Sequence, residues 1–86
     1  MFDWYDANID HIAGHNVRPE EAEEALTDPR RVGMPAYNTS SETRWAMIGA
    51  TPDERLLFVV FTRRGRLIRV IMARDVDARE RRRYRE

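Results

Sequence analysis

The fold is decided by the stretch Leu67–Tyr84, which has the sequence LIRVIMARDVDARERRRY. Its first seven residues are apolar apart from one arginine, which predicts a buried β-strand over Leu67–Ala73. The spacing of Asp77–Glu80 matches a capping box, so we predict that a helix begins there and continues through the basic residues to the end of the stretch. A tight corner at Arg74-Asp75 would join the strand to the helix.

Two arginines in this stretch decide between two kinds of protein. A guanidinium is always charged, so its burial in an apolar strand is costly unless an anion meets it. That anion is either a carboxylate of the same chain or a phosphate of a ligand. For Arg69 and Arg74 the candidate carboxylates are Asp75, Asp77 and Glu80. If the partner is a carboxylate of the chain, the arginines form structural ion pairs. If the partner is a phosphate of a ligand, they indicate an enzyme.

The remaining elements follow from periodicity and from turn residues. The predictions are helices at Asp6–His15 and Pro19–Leu26, an extended edge segment at Arg31–Tyr37, a polar turn at Asn38–Glu42, strands at Thr43–Ala50 and Leu56–Thr62, and a hairpin turn at Arg63–Arg66. Together they predict one α+β domain spanning residues 1–86. It has two layers, with two N-terminal helices, a three- to four-stranded antiparallel sheet and a C-terminal helix.

Composition limits the class of protein. The 86 residues are 35% charged and 42% apolar, which is typical of a folded globular domain. No apolar run approaches the roughly 20 residues of a membrane span, so we expect no membrane contact. The chain has no cysteine. This predicts neither disulfides nor thiolate metal sites and fits a cytoplasmic protein.

The zero net charge is divided unevenly along the chain. Residues 1–43 contain nine acids and three arginines, whereas residues 44–86 contain twelve arginines and six acids. All fifteen basic residues are arginine. Arginine binds phosphate in a bidentate manner better than lysine does. A genome-wide codon bias is the alternative explanation for a chain that has arginine and no lysine. The asymmetry is the firmer clue, since it permits one basic face on a neutral protein.

His11 and His15 are the two histidines of the chain. Their i, i+4 spacing on a helix is that of two metal ligands, but no third ligand lies near them in sequence. We therefore predict no metal and no cofactor. His15 is either a hydrogen-bonded structural residue or a catalytic one.

Several short motifs resemble the BrnT toxin family. They are an early Trp4, the turn Gly14-His15-Asn16-Val17 followed by Pro19-Glu-Glu-Ala22, the pair Asp28-Pro29, and Ile68–Arg74 leading to Glu80 and Tyr84. The chain departs from the usual pattern at three places. Gly14 replaces a lysine, Tyr5 replaces an aspartate, and Met72 replaces a serine.

The resemblance implies a RelE-like ribonuclease fold and a toxin of a type II toxin–antitoxin pair. It also implies an RNA substrate and a small BrnA-like antitoxin that neutralises the toxin. The assembly would be a homodimer or a toxin–antitoxin hetero-oligomer. Because the family lysine is absent, a second function stays open, namely a non-catalytic domain of the same fold that binds RNA or only its partner.

Metal-independent RNA cleavage by the ribose 2′-OH requires a base, an acid and cationic donors for the phosphorane. Histidine is the side-chain type with a reference pKa nearest neutrality, which makes His15 the candidate base or acid. Arg69 and Arg74 are the candidate clamps on the transition state. Tyr84 would position the scissile group or donate to it, with its pKa lowered by the arginines at positions 81–83 and 85.

Five further arginines are candidate phosphate contacts. They are Arg44, Arg63, Arg64, Arg66 and Arg82. Trp45 either stacks on a base or belongs to the core. The edge segment containing Gly33 and Pro35 favours a partner protein, since exposed sheet edges are normally covered.

Overall fold

A computed structural model describes residues 1–36, 38 and 42–86 of the chain. Its elements are α1 (Asp6–Ala13), α2 (Pro19–Leu26), β1 (Val32–Met34), β2 (Trp45–Ala50), β3 (Leu56–Arg64), β4 (Leu67–Asp75) and α3 (Ala78–Arg85). The strands form one antiparallel sheet in the order β1-β2-β3-β4, which confirms the α+β prediction. Residues 37 and 39–41, within the predicted edge segment and polar turn, lie outside the described residues.

The core lies between one face of the sheet and helices α1 and α2. Periodicity placed Ile12 and Leu26 on the inner faces of their helices, and both are buried against the strands. The sheet contributes Leu57, Val59, Phe61, Val70 and Ala73. In the described ranges, no helix is long and apolar enough to cross a membrane.

Helix α2 crosses β2 at an unusually close distance. Gly49 is buried at the crossing, and a Cβ atom built there would overlap the carbonyl group of Ala25. Only a residue without a side chain allows the two backbones to approach this closely. The glycine therefore fixes the depth at which α2 sits on the sheet.

Helix α3 packs on the opposite face of the sheet and contacts β2. It begins at the predicted position, because Asp77 accepts a hydrogen bond from the Glu80 amide and Glu80 accepts one from the Asp77 amide. Ile48 and Leu56 are buried on this second face. The short basic helix therefore covers part of the sheet that α1 and α2 leave open.

A β-bulge corrects the predicted faces of β4. Simple alternation along this strand predicts Val70 and Ala73 on opposite faces, with Arg74 on the Val70 face. In the structure Val60 pairs with Met72 while Phe61 pairs with Val70, so one residue between them is unpaired. Ala73 therefore joins Val70 in the core, and Arg74 lies on the face covered by α3.

Candidate functional site

Arg69 is bound by a carboxylate of the chain itself. Its Nη2 atom lies 3.2 Å from Asp3 Oδ2, and the guanidinium carbon lies 4.2 Å from the ring centroid of Tyr5. The side chain is only 15% exposed. The structure thus shows a structural ion pair, one of the two alternatives, at Arg69, and its partner is an N-terminal acid that was not among the candidate carboxylates. Through these contacts with Asp3 and Tyr5, Arg69 holds the N-terminal segment against β4.

Arg74 is also paired within the chain. Its Nη1 and Nη2 atoms donate to the two oxygens of Glu80 at 2.8 and 2.9 Å, while the guanidinium carbon lies 4.4 Å from the Phe58 ring centroid. The hydrogen bonds from Arg74 lower the pKa of Glu80 below its ordinary value. The structural ion pair, one of the two alternatives, is therefore confirmed at Arg74.

The Arg74–Glu80 pair predicts a loss of stability in acid. Because the folded-state pKa of Glu80 is lowered below 4.5, its contribution is complete above about pH 5 and disappears as pH falls through that folded-state value. Glu80→Gln should cost about 2 kcal/mol at neutral pH, since it leaves the cation without its anion. Chemical denaturation at pH 7 and pH 3 should show the difference from wild type shrinking in acid.

A matched control is Glu86→Gln. Glu86 pairs with Arg83, but both side chains are more than half exposed, so the change should have little effect at either pH. An equal deficit for Glu80→Gln at pH 7 and pH 3 would contradict an ionic role for this pair.

Tyr84 is held by Asp28, which the sequence analysis did not identify as a site residue. The hydroxyl donates to Asp28 Oδ2 at 2.6 Å, and the same oxygen accepts from the Ala50 amide at 2.8 Å. The hydrogen bond to Asp28, together with partial burial, raises the pKa of Tyr84. The prediction that neighbouring arginines lower this pKa is wrong, because the nearest charge is an anion.

Asp28 stays ionised in this setting. Burial disfavours its charged form, but hydrogen bonds from Tyr84 and from the backbone amides of Arg30 and Ala50 outweigh that cost and lower the pKa of Asp28. The Asp28–Tyr84 pair therefore links the end of α2 to α3 through an ionised carboxylate and a neutral phenol.

An open groove of about 620 Å³ surrounds this pair, and we name it the α3 groove. Its lining includes Asp28, Thr51, Leu56 and Tyr84, the acids Glu24 and Glu54, and the arginines Arg30, Arg81 and Arg85. Among the described residues, none of these three arginines lies within 4.0 Å of a carboxylate. At longer range, Arg30 acts on Asp28 and Arg81 acts on Asp75. The groove can thus offer guanidinium donors to an anionic ligand.

His15 lies in the turn after α1, which ends at Ala13, two residues earlier than predicted. The turn is fixed by the left-handed backbone of Asn16, with φ of 59°, and by Arg55, whose guanidinium donates to the carbonyls of His15 and Asn16 at 3.4 and 2.8 Å. The imidazole itself is exposed and lies edge-on to His11, with ring centroids 6.0 Å apart. The backbone is anchored while the ring stays accessible.

The two histidines do not complete a metal site in the described residues. No group of three or more histidine, cysteine or acidic side chains is arranged there to hold a metal ion.

Arg55 is a further residue whose role was not predicted from the sequence. Besides the turn at His15, it binds both oxygens of Glu21 at 3.1 and 3.2 Å and both oxygens of Asp75 at 2.8 and 3.2 Å. Its hydrogen bonds lower the pKa of Asp75, and Arg81 adds a smaller effect in the same direction. Arg55 therefore joins α2, β4 and the turn after α1 at one end of the sheet.

The four predicted catalytic residues do not form one open cluster. His15 and Tyr84 lie at the same end of the sheet, because Arg55 contacts the first and the adjacent Leu56 lines the groove around the second. Arg69 lies toward the opposite end, where it pairs with Thr62 across the sheet.

The predicted RNA contacts lie in separate places. Arg63, Arg64 and Arg66 surround the exposed β3–β4 hairpin, and Arg82 is exposed on α3. Arg44 lies beside Glu42, with its Nε atom 3.4 Å from Oε1. In the described ranges, exposed arginines thus occur at the hairpin, on α3 and along the α3 groove.

Comparison with known proteins identifies the family. Residues 4–80 of this 86-residue chain match the family described as "Ribonuclease toxin, BrnT, of type II toxin-antitoxin system". No match was found among curated proteins. Membership implies an RNA target and an antitoxin partner. This chain belongs to the BrnT family of ribonuclease toxins.

Proposed function

We propose that this protein is a metal-independent endoribonuclease toxin that acts on RNA in the cytoplasm and is neutralised by a small BrnA-like antitoxin. The observation that supports this best is the family match over residues 4–80. In the reaction, the ribose 2′-oxygen forms a bond to phosphorus while the bond to the 5′-oxygen breaks. The products are a 2′,3′-cyclic phosphate and a 5′-hydroxyl.

His15 is the proton carrier in this proposal. Its ring is exposed and has no hydrogen-bond partner among the described residues, so it is free to meet a substrate hydroxyl. Arg55 holds the backbone of the turn, which limits the positions that the ring can sample. Anchoring of this kind keeps a proton carrier within reach of its substrate.

In this proposal the cationic groups that bind the phosphate belong to the α3 groove and not to Arg69 and Arg74. Arg30, Arg81 and Arg85 line that groove without ion-pair partners in the described chain, and they lie at the same end of the sheet as His15. Guanidinium groups of this kind bind phosphate oxygens and stabilise developing charge. Tyr84 donates to Asp28 and so positions the wall of the groove.

A second candidate function is a non-catalytic domain that binds RNA or only its partner. The paired states of Arg69 and Arg74 favour this alternative, because both guanidinium groups already satisfy carboxylates of the chain. The raised pKa of Tyr84 favours it too, since a phenol of this kind is a poor acid at neutral pH.

Induced expression separates the two functions. The ribonuclease proposal predicts growth arrest together with fragmented cellular RNA. It also predicts that co-expression of the small protein encoded beside this gene restores growth and gives a co-purifying hetero-oligomer. Normal growth with intact RNA, combined with RNA binding by the purified protein at low salt, would support the non-catalytic domain instead.

A further inference from the structure

Trp45 begins β2 on the sheet face that carries the core, yet 37% of its surface is exposed. Helix α2 ends at Leu26 and does not cover it fully. One side of the indole is supported by Phe61, whose ring lies nearly parallel to it at 18° with centroids 6.1 Å apart. The indole therefore packs against a core residue, while part of its surface stays open to solvent.

One guanidinium group lies over this indole, and others line the cavities beside it. The guanidinium carbon of Arg63 lies 5.6 Å from the ring centroid, and Arg31 and Arg63 both line a cavity of about 180 Å³ beside the ring. The other walls of the cavity are apolar, and they are formed by Leu26, Met47, Phe61 and Ile68. Trp45 also borders a second, more open depression, which is lined by Arg63 and Arg64 and by the acidic Glu42.

This combination matches the chemistry of a nucleobase and its phosphate. A base offers a flat π-face for the indole, while the phosphate beside it requires cations. Among the described residues, no acidic side chain lines the smaller cavity, which fits a polyanion better than a basic protein segment. The small volume suits one planar ring system rather than a larger ligand.

We propose that Trp45, Arg63 and Arg31 form a base-stacking subsite for single-stranded RNA. The assignment rests on the proposed action on RNA and deepens it. Trp45 and Ala50 are separated by about 17 Å along β2, at about 3.3 Å per residue. Because Ala50 lines the α3 groove, a strand that occupies both regions must be several nucleotides long.

The test measures binding without cleavage. A 2′-O-methyl oligonucleotide lacks the attacking hydroxyl, so it probes the subsite even in an active enzyme. In a Trp4→Phe background Trp45 is the only tryptophan, because the chain contains two. We expect the single strand to quench its fluorescence. Trp45→Ala should weaken affinity about 10-fold or more, whereas Trp45→Phe should retain most of it.

Leu67→Ala is the matched control, because Leu67 is another exposed apolar side chain near the hairpin, at 39%, and lines neither cavity. It should not change affinity. Equal quenching by an abasic strand or a duplex would overturn the proposal, as would unchanged RNA affinity of Trp45→Ala. Weaker antitoxin binding by Trp45→Ala with unchanged RNA affinity would assign the surface to the protein partner and also overturn it.

The failure of this subsite is distinguishable from the failure of the proposed function. RNA cleavage that is independent of Trp45 contradicts only the subsite. Base-dependent quenching by a protein that never cleaves RNA supports the subsite and contradicts the nuclease.

Discussion

Replacing Gly49 by alanine is expected to lower the free energy of unfolding by about 3 kcal/mol or more, which corresponds to a fall in Tm of about 12 °C or more. The added methyl group would overlap the carbonyl of Ala25. A Cβ atom is fixed by the backbone of its own residue, and the carbonyl belongs to the backbone of α2, so neither group can rotate aside. Relief requires α2 to move away from β2, which would open the core at Ala22 and Leu26. Thermal and chemical denaturation measure the effect.

Gly33→Ala is the matched control. Gly33 also lies in a strand, has no positive φ, and has open space where a Cβ atom would be placed. Its change in stability should stay within about 0.5 kcal/mol. If Gly49→Ala were as stable as Gly33→Ala, the close contact between α2 and β2 would be contradicted.

His15→Ala is expected to reduce the rate of RNA cleavage about 10²- to 10⁴-fold, the usual contribution of a positioned proton carrier. The imidazole is exposed, and only the backbone of His15 is bound by Arg55, so the free energy of unfolding should change by less than about 0.5 kcal/mol. Cleavage rates of a defined RNA and denaturation curves of the same preparations measure both quantities.

His11→Ala is the matched control for His15→Ala, because the two imidazole rings are neighbours. His11 is also exposed and lies 6.0 Å from His15, but Arg55 does not anchor its backbone. We expect it to retain most of the cleavage rate. Full activity in His15→Ala would show that the proton carrier lies elsewhere, and equal losses in both variants would contradict a distinct role for His15.

Local patterns in the sequence were sufficient for the order of elements. The capping box at Asp77–Glu80 predicted the start of α3 correctly, because this signal acts within one helical turn. The β4 bulge had no such signal. Its position depends on pairing with β3, so alternation assigned Arg74 to the wrong face.

Whether an ion pair or hydrogen bond of the site could be predicted depended on how far apart its two residues are in the sequence. The pairing of Arg74 with Glu80 was foreseeable because six residues separate them across a corner. Arg69 and Asp3 are 66 residues apart, and Tyr84 and Asp28 are 56 apart, so only the folded chain brings them together. One feature of the sequence could have indicated a role for Arg55, because it is a single arginine between the acidic turn residues and the apolar strand that begins at Leu56.

Cleavage of a defined RNA by the purified protein in the presence of a metal chelator tests the central claim most directly. The same RNA carrying one 2′-deoxyribose at the mapped cleavage position is the comparison. The account predicts a 2′,3′-cyclic phosphate and a 5′-hydroxyl from the first RNA and no cleavage at the deoxyribose. Cleavage at the deoxyribose, a requirement for a divalent metal, or no cleavage of either RNA would contradict it.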